Sequence, residues 1–135
     1  MVNIIEHEFP SELKYLQTHE WVRIQDNIAT VGITDFAQHQ LGDIVYVELP
    51  EIGMAFDKGS NVAEIESVKA VGELIMPLSG KILEVNTDLA DNPESVNSSP
   101  YGSGWMVKIE LSNKNEINEL LSVEAYQEIV EAEKA

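Results

Sequence analysis

From Trp21 to Leu111 the chain is a succession of short segments in which apolar and polar residues alternate. Each is cut off after a few residues by glycine, proline or an Asp/Asn turn: "WVRIQ", "IATVGI", "DIVYVELP", "NVAEIES", "VGELIM", "KILEVN" and "WMVKIEL". A period of two puts every second side chain on one face of a pleated strand, and segments this short cannot form stable helices. The breakers fit that reading. Asp26-Asn27 suits a hairpin turn between Trp21–Ile24 and Ile28–Val31, Pro50 stops the strand that contains Val45 and Val47, and Pro77-Leu78-Ser79-Gly80 reads as another turn. The pattern predicts a mainly β fold, a small antiparallel flattened barrel or sandwich.

Three stretches depart from the alternation. Thr34-Asp35 can cap a short helix, "TDFAQHQ", which Gly42 ends. Residues 88–104 are dense in turn formers and predict an irregular excursion with at most one helical turn. From Ser112 the spacing turns helical through Ile117, Leu120 and Leu121, and Ser122 caps a last helix, "VEAYQEIVEAEK", with Glu124 near its positive end. An echo between Gly42–Val47 and Gly80–Val85 suggests two similar halves joined by the segment around residue 69. The expectation is one domain over residues 1–135, with its β core at about 13–111 and C-terminal helices at about 113–133.

Composition removes several functional classes. With 24 acidic and 8 basic residues, a formal charge of −16 argues against nucleic acid and anionic membranes as partners. It favours a monomer that meets partners by electrostatic steering. The absence of cysteine excludes disulfides, thiolate metal sites and a cysteine nucleophile. "MVNIIEHEFPSELKYL" has no basic start followed by an apolar run, and no segment approaches the roughly 20 apolar residues needed to cross a bilayer. These features predict a cytoplasmic, soluble protein. His7, His19 and His39 share no metal-ligand spacing. His7 is expected in solvent, His39 on the surface and His19 in a strand, hydrogen-bonded. No serine elbow, phosphate loop or distinguishable carboxylate pair is present, so no catalytic activity is expected.

What stands out is "EIESVKAVGEL", residues 64–74. Lys69 is the only cation between Lys58 and Lys81, and it lies where two alternating stretches reverse direction. A Schiff-base lysine needs burial to depress its pKa, which a hairpin tip does not provide. Two readings remain on the residues alone: an ordinary surface lysine, and an amine held clear of the fold for enzymatic acylation.

The wider sequence resembles the H protein of the glycine cleavage system, from about Leu13 to Ile129. The likeness is carried by "LKYLQTHEWVR", "ATVGITDFAQHQLGDIVYVELPEIG", "ESVKAV", "PLSGKILEVN", "VNSSPYGSGWMVKI" and "LLSVEAYQEI". The resemblance implies a barrel-sandwich hybrid fold and (R)-lipoate joined covalently to Lys69. It implies Gly53, Glu66 and Gly80 as signals read during lipoylation, the glycines by permitting tight turns that fix the hairpin. It further implies that aminomethyl groups pass from a pyridoxal-phosphate glycine decarboxylase (P protein) to a folate-dependent aminomethyltransferase (T protein). A dihydrolipoyl dehydrogenase (L protein) then reoxidises the arm. A lipoate ligase or a lipoyl/octanoyl transferase would attach the group. Thr18, Glu20 and Glu73 match cleft positions where the loaded arm docks, whereas a cleft histidine of some relatives falls on Gln40, beside His39. Two alternatives use the same chain differently: a relay donating lipoyl or octanoyl groups to other lipoyl proteins, and an interaction module whose lysine stays unmodified. A biotin carrier fits less well, because Val68 and Ala70 stand where methionines usually flank the lysine.

Overall fold

A computed structural model describes residues 7–134. Strand β1 (Lys14–Tyr15) pairs with β2 (Glu20–Gln25), which turns through Asp26-Asn27 into β3 (Ile28–Ile33). Asp26 takes φ 56°, a left-handed conformation that aspartate tolerates better than most residues. The Thr34 hydroxyl then accepts the Ala37 amide at 3.2 Å and starts helix α1 (Asp35–Leu41), and Gly42 ends it with φ 87°. Next come β4 (Ile44–Glu48), β5 (Ala55–Phe56), β6 (Asn61–Ser67), β7 (Val71–Ile75) and β8 (Gly80–Val85).

Residues 88–104 contain more regular structure than their turn-rich composition suggests. A 3-10 turn at Thr87–Ala90 is followed by a four-residue helix, α2 (Ser95–Ser98). Leu89 and Val96 are the cause: both are buried in the main core and anchor a turn each. Strand β9 (Val107–Leu111), a 3-10 segment at Lys114–Glu119 and helix α3 (Val123–Lys134) complete the chain, with the Ser122 hydroxyl accepting the Ala125 amide at 3.2 Å.

All strand pairs are antiparallel. Six strands form one sheet in the order β1-β2-β3-β9-β8-β5, and β4-β6-β7 form a second. Their inner faces bury Val22, Val31, Val47, Ile65, Leu74, Ile82 and Ile109 in one cluster, giving the expected flattened barrel, a barrel-sandwich hybrid. The other side of β1 and β2 is covered by α1 and α3. There Tyr15, Trp21, Phe36, Tyr126 and Val130 form a second cluster, and Tyr15 stacks on Tyr126 at 4.7 Å. The echoing segments are both strands but lie in different sheets. The β6–β7 hairpin belongs with β4 in the three-stranded sheet, and the chain passes from β7 into β8 of the six-stranded one.

Candidate functional site

The turn between β6 and β7 is Ser67-Val68-Lys69-Ala70. Its geometry is set by one hydroxyl. Ser67 Oγ accepts the amides of Lys69 (3.2 Å) and Ala70 (3.0 Å), while the Ser67 amide donates to the Ala70 carbonyl at 2.8 Å. The Val68 amide donates to the Asp43 carbonyl at 3.0 Å, which ties the tip to the start of β4. Lys69 is exposed at this braced tip, with its stem lying over Gly42. A methyl group on Gly42 would sit 3.2 Å from Lys69 Cε, so the glycine that ends α1 also leaves room for the lysine.

Beside this stem is a cleft of about 330 Å³ bounded by α1, β7 and the end of α3. Ile33, Phe36, Ala37, Leu41 and Ile65 make its apolar walls, and Thr18, His19, Gln40, Glu73 and Glu133 supply its polar groups. Thr18 and Glu73, both expected here from sequence, line the cleft. Glu20 does not. It is fully buried behind Thr18, accepting the Thr18 hydroxyl on Oε1 and the Ile75 amide on Oε2 at 2.9 Å. Glu20 thereby clamps β2 of one sheet to β7 of the other. Burial pushes its pKa up to about 7, against the opposing pull of the hydrogen bonds from Thr18 and Ile75. Gln40 lines the cleft, whereas the neighbouring His39 is exposed and packs edge-on against His7 at 5.5 Å.

Two histidines differ from expectation. His7 is not solvated: its ring packs edge-on against Phe36 at 5.2 Å, and the burial lowers its pKa. His19 precedes β2 instead of lying within it, and takes φ 78°, strained for a residue with a side chain. Its Nδ1 lies 2.8 Å from the Tyr126 hydroxyl, which lies 2.7 Å from Thr34 Oγ1, and its Nε2 lies 3.0 Å from Glu133 Oε1. One hydrogen per contact is satisfied when Thr34 donates to Tyr126, Tyr126 to Nδ1 and Nε2–H to Glu133. Sequence reasoning did not place Glu133 at the cleft. The signal was its i+7 spacing from Tyr126 and i+3 from Val130, which puts it at the end of the buried stripe of α3.

The remaining candidates lie apart. Glu66 is half-buried on β6, between Tyr46 of β4 and Val71 of β7. Gly53 has φ 94° in the exposed loop before β5, and its amide donates to the Ile82 carbonyl at 2.8 Å. Gly80 lies at the start of β8, not in a tight turn. Close packing is what requires it, since a Cβ there would collide with the Glu110 carbonyl oxygen. Neither glycine lines the cleft. Among the described residues, no group of three or more His, Asp or Glu side chains is placed to hold a metal ion, and no helix is long and apolar enough to cross a membrane.

Residues 13–133 match the family model described as Glycine cleavage H-protein. The chain belongs to this family. Within the H-protein family, the Staphylococcus epidermidis glycine cleavage system H protein is 55% identical over 121 residues, spanning 90% of this chain and 96% of the relative. The Xylella fastidiosa H protein is 52% identical over 128 residues, spanning 94% and 98%. The crystal structure of a glycine cleavage system H protein from Mycobacterium marinum has the same fold, with a TM-score of 0.81 at 37% identity. It covers 89% of this chain and 97% of that one.

Proposed function

We propose that this chain is the non-catalytic lipoyl carrier of a glycine cleavage system, acting as one monomeric domain, with (R)-lipoate joined in amide linkage to Lys69 Nζ. The observation that carries the reading is an exposed lysine on a hydrogen-bonded hairpin tip, its stem laid beside a cleft of matching character. The residues fit the group: a free primary amine for acylation, apolar walls for a hydrocarbon arm, and carboxylates for an amine at its end. Bound there, lipoate supplies a dithiolane that opens and closes reversibly and can carry the aminomethyl group of glycine.

The chain's own residues present, shelter and orient. Ser67 and the Asp43 carbonyl fix the tip, so that partners meet Lys69 in one geometry. Ile33, Phe36, Leu41 and Ile65 keep water from the inner cleft. Thr18, Glu73 and Glu133 offer oxygen acceptors suited to an ammonium group, with Glu20 holding Thr18 and the Tyr126–His19 pair holding Glu133. Glu66 is the charge that the attaching ligase or transferase reads. Gly53 and Gly80 act indirectly, through the shape of the sheet against which the hairpin's sheet packs. The partners served in turn are glycine decarboxylase, the aminomethyltransferase and dihydrolipoyl dehydrogenase.

The test is coexpression with a lipoate ligase under lipoate supply, then intact-mass and peptide analysis, then reconstitution with the three enzymes. One lipoyl group on the Lys69 peptide and glycine-dependent exchange of carbon dioxide are expected. Modification at another lysine, or no exchange by the modified protein, would overturn the reading.

A further inference from the structure

The outer face of β4-β6-β7 is unusual for a sheet surface in contact with water. Antiparallel register sets Tyr46, Glu66 and Val71 abreast, and sets Glu48, Glu64 and Glu73 abreast further from the hairpin tip. The register of β4 slips between Ile44 and Tyr46, leaving Val45 as the extra residue of a bulge. A bulge breaks the alternation and re-aims a side chain, and here it leaves Val45 and Tyr46 both exposed, at 53% and 47%. At the tip and just beyond it, Val68 and Val71 are 69% and 61% exposed. Four large apolar side chains thus surround the approach to Lys69, where such a face ordinarily carries polar residues. Apolar groups concentrated in this way mark interaction surfaces.

The glutamate row points the same way. Like charges directly opposite on neighbouring strands destabilise a sheet, and among the described residues none of Glu48, Glu64 and Glu73 is in a salt bridge. Protection of sheet edges accounts for charge on β4 and β7 but not for Glu64, which lies on the central strand. Folding gains from neither the apolar group nor the row. A basic partner surface with an apolar centre would gain from both.

We propose that this face is the docking surface for the enzyme that acylates Lys69. The proposal rests on the carrier reading above. That enzyme must reach the lysine before any arm exists, so it has to touch the hairpin itself, whereas partners that act at the end of an arm can work at a distance from it. The basic face it presents pairs with Glu48, Glu64 and Glu66, and its apolar centre covers Val45, Tyr46 and Val68.

The experiment measures initial rates of lipoylation of the unmodified chain by a purified lipoate–protein ligase with lipoate and ATP, followed by intact mass. Val45→Ser/Tyr46→Ser should lower kcat/KM by about tenfold or more, as for loss of an interfacial anchor. Glu48→Gln/Glu64→Gln should lower it several-fold and flatten its dependence on salt. Ile28→Ser/Glu128→Gln, exposed and outside this face, should stay within about twofold, the ordinary range for a surface change. Full modification of every variant at Lys69 with excess ligase, and unchanged circular dichroism, would show that only docking is altered. If the serine variant fails to fold, the glutamine variant carries the test alone. Rates equal to wild type in the glutamine variant and in a folded serine variant would overturn the docking surface, as would normal lipoylation combined with impaired exchange by the decarboxylase. Absence of lipoylation on wild-type Lys69 would instead overturn the carrier reading.

Discussion

Replacing Glu20 with glutamine should stabilise the protein above pH 7 and leave it nearly unchanged near pH 4.5. Glu20 is fully buried, and its pKa rises from an ordinary carboxyl value of 4.5 to about 7 in the fold. The folded state therefore holds the proton more tightly than the unfolded chain. The stability this confers is complete below the unfolded value and is lost as pH rises through the folded one. At about 1.4 kcal/mol per unit, the difference amounts to about 3 kcal/mol across pH 4.5–7. Glutamine is isosteric and never ionises. Its Oε1 can accept the Ile75 amide, and its Nε2 can donate to the Thr18 hydroxyl in place of the present bond. The assay is urea unfolding of both proteins at half-unit steps from pH 4.5 to 8.5. The difference between the two free energies isolates Glu20 from the many carboxylates they share. A difference that grows toward about 3 kcal/mol in favour of glutamine supports the reasoning. A flat difference, or glutamine less stable at every pH, would refute it and show that ionised Glu20 is already satisfied by its two donors.

Lys69→Arg should fold as the wild type and gain no lipoyl mass, because arginine keeps the charge without the nucleophilic amine; any lipoyl addition elsewhere would relocate the site. Glu66→Ala should slow lipoylation while changing stability by no more than about 0.5 kcal/mol, since Glu66 has no salt bridge among the described residues. Equal lipoylation rates would reduce Glu66 to an ordinary surface residue. Gly80→Ala should cost about 2 kcal/mol, read as a lower thermal midpoint, because the new methyl meets the Glu110 carbonyl and Ile109 Cγ2; an unchanged midpoint contradicts that packing. The purified, lipoylated chain without partners should release no carbon dioxide from glycine, and sustained release would contradict the carrier role.

The parts of this molecule that could be read from sequence are those fixed by local chemistry. The Asp26-Asn27 turn, the Thr34 cap, the Gly42 stop and the reversal around Lys69 each follow from the preferences of a few adjacent residues. What stayed hidden depends on distant contacts. Alternation could not foretell that Glu20, Trp21 and Val22 are all buried, because β2 is covered on one face by the core and on the other by α1 and α3. Two-residue β1 exists through its pairing with β2 and the bridge from Tyr15 to Leu121, which no local pattern encodes. His19 takes its left-handed backbone in the tight turn from Leu16 to Glu20, but Tyr126 and Glu133, which hold its ring from both sides, come from the last helix and could not be foreseen locally. Of the cleft's five polar residues, only Glu73 lies near Lys69 in the chain.

The position of β9 between β3 and β8 has a consequence for how the chain is made. The β2–β3 hairpin leaves the ribosome early, yet the open side of β3 finds its partner only when Val107–Leu111 has been synthesised. Strand β8 waits in the same way. Until then both present unpaired backbone groups, the kind of edge that recruits other nascent chains. Contacts so distant in sequence also slow the search for the native sheet. Premature termination just before Val107 would thus yield an aggregation-prone fragment, although most of the residues around Lys69 would already be present.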